Sequence, residues 1–352
     1  MRPGPTARAL ACLLAAGALL AGCGSDGSTD TSGASAENRP APPASDFPAT
    51  EGRSLTEVLE AAGPSELVVS PAGSVFYEGE NRFPFGVFEK DRSQVNDAEV
   101  ALYISPVPKV NPNPEKEDAK GAAARAAEKA LEEPATGPFP ASVETLATQP
   151  AFRAQTTSQD PDAATVVYST DIDFPSDGEW RIAAVIKEGD KLSATLLPSA
   201  LVGAVKRVPT VGEKAPLIHT PTPADVGGDL AKLTTRIPPD TQNKVDYADA
   251  YGKEPIILLF ATPQFCQSRV CGPVVDVAEQ VKQVYGDKAA FIHMEIYQDN
   301  DPANPVTEQV QAFHLPTEPW LFAIKKDGTI AEVLQGAFGV DALTEAVEKA
   351  AE

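Results

Sequence analysis

The fold of the C-terminal third is decided by residues 255–273, which read PIILLFATPQFCQSRVCGP. The continuous apolar run at 255–261 is typical of a β-strand buried on both faces of a sheet. Residues 274–285 carry apolar side chains at helical spacing, so the loop between the two segments joins a strand to a helix. Cys266 and Cys271 stand in that loop with four residues between them. The sequence therefore predicts a pair of cysteines at a strand-to-helix junction.

The segments that follow this loop complete an α/β pattern. A second buried strand is predicted, then a short helix, a hairpin that turns at Lys326-Asp327-Gly328, and a closing helix; they span 289–296, 306–314, 320–325 with 329–335, and 341–351. The first two strands are suited to parallel pairing. This order predicts the α/β class for a domain at 241–352.

Three features of these residues together resemble the thioredoxin superfamily. A cysteine stands at the strand-to-helix junction, Thr317-Glu318-Pro319-Trp320 places a proline where the family keeps a cis-proline opposite its dithiol, and Gly336-Ala337 precedes the last helix. The resemblance implies a thioredoxin-like fold for the C-terminal domain. In family terms Cys266 is the attacking thiol and Cys271 the resolving thiol.

The remaining predicted site residues surround this pair. Glu318 is expected to act as a general acid or base near the sulfurs or to raise a thiol pKa. Phe265, Arg269, Thr317 and Pro319 are predicted to contact the substrate. No cofactor and no resident metal are predicted, and a zinc site of four protein ligands is excluded by the few cysteines and histidines.

The four-residue gap sets a geometric condition. In a regular helix, residues five apart have Cα atoms about 8.6 Å apart, whereas a disulfide needs less than about 7 Å. Cys266 must therefore lie in the loop before the helix, or the first helical turn must unwind on oxidation. The family's usual gap is two residues, its usual tryptophan is here Phe265, and the buried acid of many members is replaced by Leu258.

Other functions remain open at this point. A disulfide can simply pin a loop in a non-enzymatic binding or scaffold protein. Some peroxiredoxins carry the same gap, but their threonine lies three residues before the first cysteine, whereas Thr262 lies four before Cys266. Sco-type copper delivery would pair the two cysteines with a histidine, for which His314 is the candidate.

Residues 1–22 resemble the signal peptide of a bacterial lipoprotein. A twelve-residue apolar run at 9–20, too short to span a bilayer, leads into Leu20-Ala21-Gly22-Cys23, which matches the lipobox. The resemblance implies cleavage before Cys23 and lipid attachment to its sulfur. Residues 23–54 are then a polar tether, and the protein is expected on the outer face of the cytoplasmic membrane, where disulfides persist.

An all-β domain is predicted at 55–205. Its short segments are rich in Val, Ile, Phe, Tyr and Thr and suggest an immunoglobulin-like sandwich; they lie at 66–70, 82–89, 99–105, 165–174, 180–187 and 192–197. Phe83, Phe85, Phe88 and Trp180 are the expected core aromatics, and residues 174–178 are expected to form a hairpin turn. A charged helix is predicted as an insert near 115–133, and the Pro-rich stretch 206–240 is expected to be a linker.

Charge narrows the choice of partners. Acidic residues outnumber basic ones by 50 to 29, and a net charge of −21 repels nucleic acid.

Taken together, the two resemblances predict a membrane-anchored thiol–disulfide oxidoreductase that acts on client proteins. Its other partner is membrane lipid, reached through Cys23.

Overall fold

Three β-sheets organise the computed structural model, which describes residue 1 and residues 37–109, 118–205, 207–266 and 268–352. The helices are α1 (Leu55–Ala62), α2 (Ala119–Ala130), α3 (Gln155–Ser158), α4 (Tyr247–Ala250), α5 (Cys271–Tyr285), α6 (Glu308–Ala312) and α7 (Val340–Ala351). The strands are β1 (Val68–Pro71), β2 (Gly79–Phe88), β3 (Gln94–Val95), β4 (Glu99–Pro106), β5 (Thr136–Pro140), β6 (Ser142–Thr145), β7 (Val166–Phe174), β8 (Gly178–Glu188), β9 (Lys191–Val202), β10 (Ile256–Phe260), β11 (Ala290–Met294), β12 (Trp320–Ile324) and β13 (Ile330–Gln335).

The fold is sheet-rich, with few helices. The first sheet has the order β1-β2-β7-β6 with β3 also paired to β2, the second has the order β5-β4-β8-β9, and the third has the order β11-β10-β12-β13. The first two sheets are antiparallel and the third is mixed, because β10 pairs parallel with β11 and antiparallel with β12. The predicted parallel pairing of the first two C-terminal strands is thus confirmed.

The first two sheets share one core and are called the sandwich below. Phe83, Phe85 and Trp180 lie in that core, as predicted, whereas Phe88 at the end of β2 is only half-buried. The predicted hairpin at 174–178 is wrong, because β7 and β8 belong to different sheets and the turn crosses between them. Phe174 and Trp180, on either side of the turn, both point into the shared core with ring centroids 6.0 Å apart.

The third sheet is buried on both faces, as the apolar run predicts. Alternate residues of β10 point to opposite sides: Leu258 and Phe260 pack with Trp320, whereas Ile257 and Leu259 pack under α5 and α7. This alternation follows from the two-residue period of a strand. Both helices therefore cover one face, and the ends of β10 and β11 reach the same edge.

The sandwich and the third sheet are joined by polar contacts that are in part shielded from solvent. The Gln335 amide at the end of β13 accepts from the backbone N–H groups of Ser74 and Val75 at 3.0 and 3.1 Å. The Glu144 carboxylate on β6 accepts from the N–H groups of Gly339 and Ala342 at 3.1 and 3.3 Å, at the start of α7. A carboxylate in this position accepts hydrogen bonds from backbone amides that have no partner within the helix. Its negative charge also interacts favourably with the partial positive charge of the helix N-terminus.

Residues 206–240, predicted as a linker, are packed along much of their length. Ala215 and Ile218 join the core on one face of the third sheet, and Leu233 is also buried. Residues Ser35–Glu352 accordingly form one compact unit.

Several expectations fall on other parts of the chain. Residues 2–22 of the signal peptide, Cys23, residues 24–36 of the tether and residues 115–117 of the predicted insert lie outside the described residues. Residues 37–54 of the predicted tether are described and are in part packed, because Phe47 is buried and the backbone of Arg39 pairs with that of Val143 on β6. The rest of the insert contains α2. Within the described ranges, no helix combines the length and the apolar character needed to cross a bilayer.

Candidate active site

The two cysteines lie where the buried strand gives way to the helix. Strand β10 ends at Phe260 and α5 begins at Cys271, so Cys266 is in the loop between them. The sulfurs form a disulfide, with Cα atoms 5.8 Å apart. Of the two arrangements that the spacing allows, the structure has the first, with Cys266 outside the helix.

The cysteines differ in accessibility and in contacts. Cys271 is fully buried, whereas Cys266 is half-buried. The backbone N–H of Cys271 donates to the Cys266 sulfur at 3.2 Å, and the Ser268 hydroxyl lies 3.2 Å from the same sulfur. Donors at a helix N-terminus stabilise a thiolate, so the environment favours an ionised Cys266 once the disulfide opens.

Residues 317–319 reach the same sheet edge as the dithiol loop. The antiparallel register pairs Phe260 with Trp320, which places Pro319, just before β12, opposite the end of β10 where the loop begins. The Glu318–Pro319 peptide bond is cis. Pro319 is itself buried, and its carbonyl accepts from the Gly336 N–H at 2.9 Å.

Glu318 is half-buried in the segment before β12. Burial raises the pKa of its carboxyl group above the usual 4.5. Burial also raises the pKa of Tyr297, and the negative charge of Glu318 adds to that rise. Across the described part of the chain, the Glu318 carboxyl group has no hydrogen bond or ion pair, which leaves it available for proton transfer.

The other predicted contact residues have different surroundings. Phe265 is half-buried in the loop. Thr317 is exposed; its hydroxyl accepts from the Trp320 indole at 3.2 Å and lies 3.5 Å from the Ser74 hydroxyl of the sandwich.

Arg269 contacts the segment that precedes β7 through both its side chain and its backbone. Its guanidinium pairs with Asp162 at 3.2 Å and its carbonyl accepts from the Ala164 N–H at 3.2 Å. Its φ angle of 62° lies in the left-handed region, which is uncommon for a residue other than glycine. Contacts from the segment that leads into β7 therefore hold the end of the dithiol loop next to α5.

A buried ion pair that sequence reasoning missed lies beside the loop. His293 on β11 contacts Asp240 at 2.9 Å through Nδ1 and the Ala261 carbonyl at 3.1 Å through Nε2. Burial alone would lower the pKa of His293, but the Asp240 carboxylate outweighs it and raises the pKa to about 9. The histidine is therefore charged at neutral pH, and both of its ring nitrogens are occupied.

Asp240 belongs to a segment, residues 234–243, that we call the strap. Its side chains are largely buried, although it lies in sequence next to a Pro-rich stretch. The Thr235 N–H donates to the buried Glu295 carboxylate at 2.6 Å, and the Thr235 hydroxyl accepts from the Gln264 N–H at 3.1 Å. A chain of hydrogen bonds thus runs from Glu295 through the strap to a residue two positions before Cys266.

The strap also fixes the helix that follows the loop. Arg236 donates from Nε to Asp276 on α5 at 2.9 Å and from Nη2 to the Phe152 carbonyl at 2.6 Å. The other oxygen of Asp276 accepts from the Ala154 N–H at 3.0 Å. Residues from the sandwich side of the chain therefore take part in holding α5 in place.

The histidines do not gather around the cysteines. His219 is exposed and contacts Asp246 at 2.7 Å, and His314 is exposed at the end of α6. No group of three or more His, Cys, Asp or Glu side chains suited to a metal ion occurs among the residues that the structure describes.

No protein-family model matches this chain, and no curated protein matches it. The chemistry of the site therefore follows from its own residues.

Proposed function

We propose that the protein is a thiol–disulfide oxidoreductase that exchanges disulfides with client proteins through Cys266 and Cys271. The observation that carries this proposal is the difference between the two sulfurs. Cys266 is accessible and receives a helix N-terminal N–H, whereas Cys271 is buried within bonding distance behind it. This arrangement suits one attacking and one resolving thiol.

The exchange balances without any further reactant. From the oxidised state, a client thiolate attacks the Cys266 sulfur, a mixed disulfide forms, and the Cys271 thiolate leaves. A second client thiolate then attacks the client sulfur of the mixed disulfide and releases Cys266. The client gains a disulfide, the protein gains two thiols, and two electrons pass to the protein; the reverse sequence reduces a client.

The fold of the C-terminal region supports a thioredoxin-like assignment within this proposal. Its sheet order, its parallel first pair of strands and the position of both cysteines at the end of β10 agree with that family. An immunoglobulin-like identity for the sandwich is proposed only on the grounds of two antiparallel sheets that share a core.

We propose further that the protein is lipid-anchored through Cys23 at the outer face of the cytoplasmic membrane. The lipobox sequence Leu20-Ala21-Gly22-Cys23 supports this location. Acyl chains supply about 0.8 kcal/mol per buried methylene, so a processed Cys23 would hold the protein at the membrane.

Trapping of clients tests the exchange reaction. In a Cys271→Ser variant the resolving thiol is gone, so mixed disulfides through Cys266 should accumulate in cells and disappear on reduction. Cys266→Ser is the matched control, because it removes the attacking thiol and should give none. If Cys271→Ser forms no adducts and the wild-type disulfide resists glutathione, the disulfide is structural and the protein is a scaffold.

A further inference from the structure

A groove of about 410 Å³ runs between the sandwich and the dithiol loop. Its volume falls in the range of about 300–1,000 Å³ that is usual for ligand sites. The lining is predominantly apolar and includes residues from β1, β2 and β7 on one side and from the loop before α5 on the other; among them are Val68, Phe85, Phe88, Val166 and Val270. The sandwich thus supplies one wall of a groove whose other wall belongs to the dithiol loop.

The groove begins next to the reactive sulfur. Ser268 lines the groove, and its hydroxyl lies 3.2 Å from the Cys266 sulfur. A chain joined to Cys266 by a mixed disulfide would therefore have the residues beside its cysteine at the mouth of the groove. Because successive residues of an extended chain advance by about 3.3 Å, neighbours of that cysteine can reach the apolar wall.

The exposed part of that wall lies on the first sheet. Val68 on β1 is 49% exposed, because alternate residues of the strand face outward while Val69 faces the core. At Gly86 an added Cβ would lie 2.6 Å from the Phe88 ring, so the missing side chain lets this ring lie across the strand. Val68 and Phe88 therefore offer apolar surface to a ligand in the groove.

Some of the charged side chains around the groove have an ion-pair partner and others do not. Lys90 pairs with Glu66, and Arg269 pairs with Asp162. Arg92 is exposed, and among the described residues its guanidinium has no ion-pair partner. Glu89 also lines the groove, and among the described residues its carboxylate likewise has no ion-pair partner. Arg92 is thus the unpaired cation of the lining, placed to pair with an incoming carboxylate.

We propose that the groove seats an extended client segment that carries an apolar side chain beside its reactive cysteine and an acidic residue close by. Val68 and Phe88 contact the apolar side chain, and Arg92 pairs with the acidic one. This inference rests on the proposed exchange function and gives the sandwich a part in it, as the wall that selects clients.

Competing peptides test the selectivity. Three short reduced peptides would share one cysteine and differ in its neighbours: phenylalanine with glutamate, serine with glutamate, and phenylalanine with lysine. The measurement is the rate at which each reduces the Cys266–Cys271 disulfide, normalised to its rate with oxidised glutathione to remove differences in thiol reactivity. The wild-type protein should favour phenylalanine over serine by about tenfold and glutamate over lysine by about threefold.

Two variants separate the contacts. Val68→Ser should lose the preference for phenylalanine and keep that for glutamate, and Arg92→Glu should do the opposite. Both positions are exposed, so folding should survive. Val284→Ser and Arg207→Glu change an exposed valine and an exposed arginine outside the groove and should keep both preferences.

Each other outcome has a distinct meaning. The groove proposal is overturned if the wild-type protein does not discriminate among the peptides, or if Val68→Ser and Arg92→Glu discriminate as it does. A concentration-dependent dimer that Val68→Ser disperses would make a second copy the occupant and would also overturn it. If no thiol, including glutathione, opens the disulfide, the exchange function itself has failed.

Discussion

Cys266 is the more exposed of the two cysteines, and in the proposed exchange its sulfur is the one that an incoming thiolate attacks. Cys271 is fully buried at the first residue of α5, and its N–H points at the Cys266 sulfur from 3.2 Å. The difference in exposure and hydrogen bonding between the two cysteines supports the roles proposed for them, Cys266 as the attacking thiol and Cys271 as the resolving thiol. Glu318, at the same sheet edge, adds a carboxyl group whose pKa is raised by burial.

A Glu318→Gln variant tests the influence of that carboxyl group. As pH rises through the raised pKa of Glu318, the side chain becomes negative, and a negative charge near a sulfur disfavours the thiolate. We expect the exchange rates of variant and wild type to be similar near pH 4.5 and the variant to become faster above it. The gain should be roughly threefold if the thiol pKa falls by one unit, because the larger thiolate fraction is partly offset by its lower nucleophilicity. Rates at which the reduced protein attacks oxidised glutathione, measured from pH 4 to 8, give the ratio, because Cys266 is the attacking thiol in that direction.

Glu308→Gln provides the control, because Glu308 is an exposed acid in the first turn of α6. Its rate should follow that of the wild type at every pH. A ratio for Glu318→Gln that stays constant over the whole range would show that the carboxyl group does not act on the sulfurs.

At the scale of elements, the strap holds the strand and the helix that flank the dithiol loop. Asp240 pairs with His293 on β11, and Arg236 pairs with Asp276 on α5. Both pairs are buried, and removing one partner of such a pair leaves an uncompensated charge. The strap should therefore stabilise the positions of β11 and α5 relative to the dithiol loop.

The His293–Asp240 pair predicts a specific dependence of stability on pH. The pKa of His293 is raised to about 9, so its stabilising effect is complete below the unfolded value of about 6.5 and is lost as pH rises through 9. His293→Gln should lower the free energy of unfolding by roughly 3 kcal/mol near pH 6. The difference from wild type should shrink towards pH 9.

Denaturant unfolding at several pH values measures this difference. His219→Gln is the matched control, since His219 also contacts an aspartate but is exposed, and no change is expected there. An equal loss of stability at pH 6 and pH 9 for His293→Gln would contradict a charged histidine in the folded protein.

At the scale of the whole molecule, the sandwich and the third sheet share structural contacts. Glu144 caps α7, Gln335 binds the backbone at Ser74 and Val75, and Arg269 is held by Asp162. Domains joined by few contacts unfold separately, whereas regions that share several hydrogen bonds and ion pairs tend to unfold together. The two regions should therefore behave as one cooperative unit.

The two tryptophans make this cooperativity measurable. Trp180 lies in the sandwich core and Trp320 on β12, and the sequence contains no other tryptophan. The Trp180→Phe variant keeps only Trp320, so its fluorescence should report unfolding of the third sheet. The Trp320→Phe variant keeps only Trp180, so its fluorescence should report unfolding of the sandwich. We expect each variant's fluorescence transition to coincide with its own unfolding followed by far-UV circular dichroism. A fluorescence transition that separates from the circular dichroism transition would show independent domains.

Local patterns predicted the elements that carry the site. Alternating and continuous apolar segments predicted the main strands. The cysteine spacing left two arrangements open, of which the structure has the one with Cys266 in the loop. Helix α1 was missed although Ser54 and Glu57 form a capping box, a signal visible in the sequence. Strand β5 was missed because Pro138 and Pro140 argue against a strand.

The buried charges could not be predicted in the same way. Asp240 and His293 stand 53 residues apart, and each alone is typical of a solvated surface. Only the course of the strap brings them together. The Pro-rich composition of 206–240 correctly indicates irregular backbone, but composition does not say whether that backbone is packed against a sheet.

The reduction potential of the Cys266–Cys271 couple tests the proposed function most directly. Equilibration with defined mixtures of reduced and oxidised glutathione or dithiothreitol, followed by quantification of free thiols, gives its value. A couple that opens and closes during exchange should have a potential above about −300 mV. A potential well below that value, with no detectable exchange with glutathione, would contradict the function proposed for these two cysteines.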